Sequence, residues 1–230
     1  MEITGLQKTT LLDYPGRIAC TVFFSGCNFR CPFCHNASLV TAGQRPQPVM
    51  DDEELLAFLE TRRRKLDGVC VTGGEPTLQP QLPQLLRRIK DMGFLVKLDT
   101  NGSRPDVLRQ LVKEGLVDYV AMDIKSSPCS YDRLCGTAAD MEAIKESAAY
   151  LMTHPVDYEF RTTLVKPLHT AEDLAAIGHW LKGPSAYYLQ QFVDSGDLIG
   201  SGMEAFSAAE MEALRQIVLP FIPHTSLRGI

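Results

Sequence analysis

The sequence predicts an α/β fold, a partial (β/α)6 barrel open on one side, in a single domain over residues 1–230 with the barrel at about 17–220. Three observations predict it. Short apolar runs rich in β-branched and aromatic residues alternate with helical patterns along the chain. Strand-then-helix units imply parallel pairing with right-handed crossovers. Six such units are two short of a closed eight-unit barrel.

Residues 18–24 read as the first strand, followed at once by a cysteine loop at 25–36 and a Pro-broken connection at 44–48. Asp51 then opens a helix with Glu54 as its capping partner and Leu55, Leu56, Phe58 and Leu59 on its buried face. Residues 68–71 form the second strand and end in Thr72-Gly73-Gly74-Glu75-Pro76. Leu82, Leu85, Leu86 and Ile89 mark a helix closed by Gly93. The third strand, 94–98, runs into Asp99-Thr100-Asn101-Gly102, and Pro105 starts a helix with Val107, Leu108, Leu111 and Val112 inward. The fourth strand, 119–122, leads to Asp123-Ile124-Lys125, and a helix over 138–152 uses Met141, Ile144, Ala148 and Leu151. The fifth strand is 158–164, followed by a helix with Leu174, Ile177 and Leu181. The sixth strand is 187–193, and the last helix runs from Ser207, with Glu210 as capping partner, to before Pro220.

Apolar residues make up 45% of the chain, enough for a core and against disorder. A net charge of −5 argues against broad nucleic-acid binding, and Arg62-Arg63-Arg64-Lys65 reads as a solvated helix tail. No apolar run is long enough for a membrane span, and the first ten residues lack a signal-peptide core. Seven cysteines without a disulfide framework suggest a reducing cytoplasm. Cys20 and Cys70 lie in apolar runs as core residues, whereas Cys129 and Cys135 read as plain thiols of undefined role.

The chemistry centres on Gly26-Cys27-Asn28-Phe29-Arg30-Cys31-Pro32-Phe33-Cys34-His35-Asn36, where Cys27, Cys31 and Cys34 have C-x3-C-x2-C spacing. A 4Fe–4S cluster takes one thiolate per iron, so three thiolates leave one iron open to a chelating ligand such as S-adenosylmethionine (SAM). A structural zinc site is the alternative, but its fourth ligand would have to be His35, directly after Cys34.

This cysteine run, with Phe33 before Cys34, resembles the radical SAM superfamily. The stretch from Asp13-Tyr14-Pro15-Gly16-Arg17 through Cys34-His35-Asn36 is similar to the activating enzymes of glycyl radical enzymes, most of all those of anaerobic ribonucleoside-triphosphate reductase. The resemblance implies a glycyl radical enzyme as substrate protein and a flavodoxin- or ferredoxin-type electron donor.

The other candidate residues follow strand ends, where parallel β/α folds carry their sites. Gly73, Gly74 and Glu75 permit close ligand approach, and the resemblance implies that they bind the methionine ammonium of SAM. Asp123 and Lys125 share a strand face and suit the ribose and carboxylate of SAM, although a plain surface ion pair would look the same. Arg161 sits in an apolar strand and needs a partner, read as the carboxylate or ribose. Asn101 is a neighbouring candidate, and Gln190, Gln191 and Phe192 are placed for the adenine, with Phe33 a further cofactor contact. The resemblance to pyruvate formate-lyase activating enzyme adds a monovalent cation near Asp99 and Asp123. His35 reads as a hydrogen-bonding neighbour of the cluster, and His154, His169 and His179 pair with no nucleophile.

The expected function is reductive cleavage of SAM to a 5′-deoxyadenosyl radical, which removes hydrogen from a glycine of the partner enzyme. One alternative is a radical SAM enzyme acting on a small molecule or short peptide, such as a 7-carboxy-7-deazaguanine synthase type. The other is a zinc-binding module without activity.

Overall fold

The computed structural model describes residues 1–41 and 47–230. The first three positions of the 44–48 connection lie outside the described residues. In chain order the elements are β1 (Glu2–Ile3), β2 (Gly5–Thr10), β3 (Ala19–Phe24), α1 (Ala37–Val40), β4 (Met50–Asp51), α2 (Asp52–Glu60) and β5 (Gly68–Gly73). A 3-10 turn (Pro76–Leu78), α3 (Leu82–Asp91), β6 (Leu95–Thr100), α4 (Pro105–Lys113) and β7 (Tyr119–Asp123) follow. The chain continues with α5 (Tyr131–Cys135), α6 (Met141–Met152), β8 (Asp157–Leu164), α7 (Ala171–Trp180), β9 (Ala186–Gln191), α8 (Ala208–Val218) and β10 (Thr225–Arg228).

The chain divides into two compact units. The first comprises residues 1–28, 38–100 and 104–120, and the second residues 29–37, 101–103 and 121–230. In the first unit β3, β5 and β6 are parallel neighbours, with Thr21 opposite Cys70 and Cys70 opposite Lys97. β2 pairs antiparallel with β3, and β1 with β4. The expected caps form: Asp51 accepts from the Glu54 N–H, and Glu54 accepts from the Asp51 N–H. Leu55, Leu56 and Leu59 are buried while Phe58 is half-buried. One face of the sheet is apolar through Val22, Val69, Val71, Val96 and Leu98, all at 0% exposure. Cys20 and Cys70 are core residues as expected, and burial pushes both thiols up to about 12.

In the second unit β8, β9 and β10 are parallel neighbours. α8 packs on α7, β9 and β10. Its Ser207–Glu210 capping box forms as expected, and a Thr170–Asp173 box opens α7. The expected sixth strand stops two residues early, because Val193 is 61% exposed beyond the last pairing residue. β2 is an edge strand in the first unit and β10 in the second.

Beyond its pairing with β9, β10 is tied to β8 by the Arg228 side chain. Glu159 on β8 is fully buried, and Arg228 grips it with two nitrogens at 3.0 and 3.2 Å while stacking 3.8 Å over the Tyr188 ring. Removing one partner of a buried pair leaves a desolvated charge. Arg228→Ala is therefore expected to lower the unfolding free energy by about 3 kcal/mol. Arg228→Lys should restore little, since lysine lacks the planar fork and stack. Urea unfolding with an unchanged slope checks this; an Ala variant as stable as the parent would refute it.

Candidate functional site

The first unit holds the ends of three parallel strands. β3 leads through Ser25-Gly26 into Cys27, β5 ends in Gly73-Gly74-Glu75, and β6 ends in Asp99-Thr100. The turn after β5 is locked onto the start of the cysteine loop by backbone contacts. The Gly74 N–H donates to Phe24 O and the Glu75 N–H to Gly26 O, both at 2.8 Å. The Gln79 amide donates to Ser25 O at 2.9 Å. A Cβ on Gly74 would sit 2.0 Å from Gly26 O, and one on Gly73, at φ +124°, would sit 2.2 Å from Phe24 O. The glycine pair is thus required by the chain's own backbone, a reason that the sequence did not reveal.

Glu75 is 1% exposed. Its Oε1 accepts from the Thr77 N–H at 3.1 Å, the Thr77 hydroxyl at 2.5 Å and the Thr100 hydroxyl at 2.8 Å. The carboxylate caps the 3-10 turn and ties the end of β5 to the end of β6. Asp99 accepts from Lys97 in an ion pair.

The second unit holds residues 29–37 and an ionic cluster. Phe29, Cys31 and Phe33 are buried, and Cys34 is half-buried. The Arg30 N–H donates to Cys135 O at 2.7 Å, and a Cβ on Gly136 would sit 2.2 Å from Arg30 O. Cys135 therefore has a structural place beneath the loop, whereas Cys129 is exposed. The Gly200 N–H donates to Pro32 O at 2.8 Å. His35 is exposed, with its ring edge-on to Phe192 at 5.6 Å.

Asp123 is the centre of the ionic cluster. Its Oδ1 accepts from Arg161 Nε and Nη2, both at 3.0 Å, and its Oδ2 from Lys125 Nζ at 3.1 Å. Burial works against its charge, but Arg161 and then Lys125 outweigh it and hold the carboxyl at about 2. Burial likewise opposes the Lys125 charge, and Asp123 overrides it, so the ammonium pKa is raised. Lys125 also interacts electrostatically with Cys31 and Cys34. The partner that Arg161 needed is thus Asp123, inside the protein. Asp123 thus carries two cationic side chains of its own. Asn101 is buried and folds its Oδ1 onto the Ser103 N–H at 2.9 Å. Gln191, at the end of β9, donates to Phe206 O at 2.8 Å.

Two residues absent from the expected set hold Lys125 in place. The Tyr131 hydroxyl, fully buried, accepts from the Lys125 N–H at 3.2 Å. His169 accepts the Val165 N–H on Nδ1 at 3.1 Å, so its proton is on Nε2 and is donated to Lys125 O at 2.9 Å. Its ring also meets the edge of Phe33. A loop histidine four residues after Val165 was the only sequence signal.

The donor set fits the expected cofactors. Cys27, Cys31 and Cys34 form no disulfide. Among the described residues no three His, Cys, Asp or Glu side chains gather tightly enough to grip one metal ion. A cuboidal cluster makes a different demand, one thiolate for each of three irons. The radical SAM superfamily pattern matches residues 21–181. The chain belongs to the radical SAM superfamily. Its cofactors are accordingly a cysteine-held 4Fe–4S cluster and SAM. A Methanocaldococcus jannaschii protein, provisionally named a glycyl-radical enzyme activating enzyme, is 31% identical over 235 residues, spanning 99% of this chain and 96% of that one. A 7-carboxy-7-deazaguanine synthase of Thermococcus kodakarensis is 31% identical over 48% of this chain and 50% of its own. Among solved structures, Streptococcus suis SuiB bound to its precursor peptide SuiA overlays with a TM-score of 0.71 at 14% identity, covering 91% of this chain and 48% of SuiB. SuiB bound to SAM gives 0.68. These overlays show the radical SAM fold. Among the described residues no helix is long and apolar enough to cross a membrane.

The His169 tautomer has a measurable consequence. Burial first, against the pull of its backbone partners, lowers the His169 pKa below the ordinary 6.5. Between that depressed value and 6.5 the unfolded chain binds a proton that the folded chain refuses. The stabilisation is complete above pH 6.5 and declines as pH falls below it. Unfolding free energies measured between pH 7.5 and pH 5.5, in roughly the range where histidine titrates, should fall more steeply in the parent than in His169→Gln. Equal slopes would show that His169 does not titrate as its contacts require.

Proposed function

We propose that this radical SAM enzyme activates a glycyl radical enzyme, with anaerobic ribonucleotide reductase as the first candidate partner. One observation carries the reading: the similarity to the M. jannaschii activating-type relative runs along essentially the whole of both chains. The synthase-type similarity covers only half of each. In this reading residues 1–230 act as one radical SAM core domain in the cytoplasm, with a flavodoxin- or ferredoxin-type protein as electron donor. Seven cysteines without a disulfide suit such a reducing compartment.

Cys27, Cys31 and Cys34 hold the cluster. When bound, the reduced cluster and SAM supply a 5′-deoxyadenosyl radical, with methionine as the other product. Backbone carbonyls of Gly73, Gly74 and Glu75 accept from the methionine ammonium, while the Glu75 side chain fixes that turn through Thr77 and Thr100. Lys125 and Arg161 meet the SAM carboxylate. An ammonium has three donors and a guanidinium five, so both can hold Asp123 and a second acceptor. Asp123 and Asn101 serve the ribose, and Gln191 and Phe33 flank the adenine. Hydrogen transfer from the partner glycine leaves the radical on that glycine and yields 5′-deoxyadenosine.

Lys125→Ala removes one charged contact to SAM, worth about 1.5–3 kcal/mol, so the dissociation constant should rise on the order of tenfold to a hundredfold. Anaerobic equilibrium dialysis on cluster-loaded protein reads this, with iron content unchanged. An unaltered affinity would place the carboxylate elsewhere.

The substrate is tested by mixing reduced enzyme, SAM and glycyl radical enzymes of the same organism, anaerobic ribonucleotide reductase first. A doublet in the electron paramagnetic resonance spectrum of the partner is expected, with stoichiometric 5′-deoxyadenosine. If no partner gains a radical while a small molecule or short peptide is converted, the synthase-type reading takes over.

A further inference from the structure

Lys97 is a buried charge to which the reading above gives no task. It lies in β6 between Val96 and Leu98, and the alternation of strand side chains puts it on the same face as Asp99. Its neighbour across the sheet is Cys70 on β5, itself 1% exposed. The Lys97 side chain is 1% exposed, and its ammonium donates to Asp99 Oδ1. A lysine is almost never buried this completely without a partner, because desolvating an ammonium is costly. Asp99, by contrast, keeps 16% of its side chain exposed. The pair is thus asymmetric: a sealed cation below and a partly open carboxylate above.

Asp99 is followed directly by Thr100, whose hydroxyl donates to the buried carboxylate of Glu75 at 2.8 Å. The end of β6 therefore carries two fixed acids in series, Glu75 tied by hydroxyls and Asp99 tied by an ammonium. A metal cation near Asp99 would compete with a covalently attached one that needs no binding step.

We propose that Lys97 is a built-in monovalent cation: it fixes the Asp99 carboxylate at the end of β6, so that the site binds SAM without an added metal cation. Lys97 is a positioning residue, acting through Asp99. The role in SAM binding rests on the function proposed above; the ion pair itself does not.

The test compares parent, Lys97→Ala, Asp99→Asn and the Lys97→Met/Asp99→Asn double variant as cluster-loaded proteins under anaerobic conditions. SAM affinity is measured in sodium, potassium and tetramethylammonium chloride, and for Lys97→Ala also with propylammonium chloride, whose chain fills the space of the missing side chain. The parent should bind SAM equally in all three salts. Lys97→Ala should bind at least tenfold more weakly and recover with propylammonium. The double variant should be no weaker than Asp99→Asn alone, since Lys97 acts through Asp99. A tenfold loss of parent affinity in tetramethylammonium would overturn the proposal, because a small external cation would then be needed. So would an unchanged Lys97→Ala, or a double variant clearly weaker than Asp99→Asn.

Thermal unfolding of the same proteins without SAM separates the two readings. The Lys97→Ala midpoint should rise with propylammonium, and the parent midpoint should not respond to it. If the parent binds no SAM in any salt, the function proposed above fails, and this midpoint shift still decides the pair: its presence supports the built-in cation, and its absence overturns it. If Lys97→Ala does not fold, the comparison of the double variant with Asp99→Asn decides.

Discussion

The arrangement of the first unit depends on a backbone contact too close for any side chain. Gly73 and Gly74 lie against Phe24 and Gly26, with two N–H···O=C bonds of 2.8 Å drawing the turn after β5 onto the exit of β3. Cys27 is the next residue after Gly26, so the position of the first thiol is inherited from this contact. Glu75, the residue after the glycines, turns inward and becomes the cap of the following turn. The same pair of glycines thus sets where a thiol leaves one strand and where an acid leaves its neighbour. The second unit repeats the device with different residues, Gly136 approaching Arg30.

Charge in the second unit is organised around an acid rather than around a ligand. Asp123 is held ionised by Arg161 and Lys125, and Lys125 is itself pinned from both sides of its peptide by Tyr131 and His169. Such a cluster is prearranged: its side chains are ordered before a ligand arrives, so less conformational entropy is lost when one binds. A lone lysine on a flexible loop would have to be immobilised at that moment.

Much of this was legible in the sequence. The cysteine spacing, the capping pairs Asp51–Glu54 and Ser207–Glu210, and the strand ends carrying Gly73, Asp99 and Asp123 are local patterns, and local patterns survive without coordinates. β1, β4 and β10 were not legible, because strands of two or four residues carry no periodicity. The partner of Arg161 was not legible either, since 38 residues separate it from Asp123 and only the fold joins them. His169 looked like an ordinary loop histidine because its two acceptor and donor contacts are to backbone groups that any sequence would supply. Lys97 was the one readable signal left unread: a charged residue in an apolar strand, two positions before an acid.

The burial of Cys20 and Cys70 bears on how iron finds its place. With their thiols pushed up to about 12 by burial, Cys20 and Cys70 stay protonated at neutral pH, and the thiolate is the form that binds metal. Cys135 is sealed under the loop. Burial thus keeps these three core thiols away from incoming iron, whereas Cys129, which is exposed, is not screened in this way.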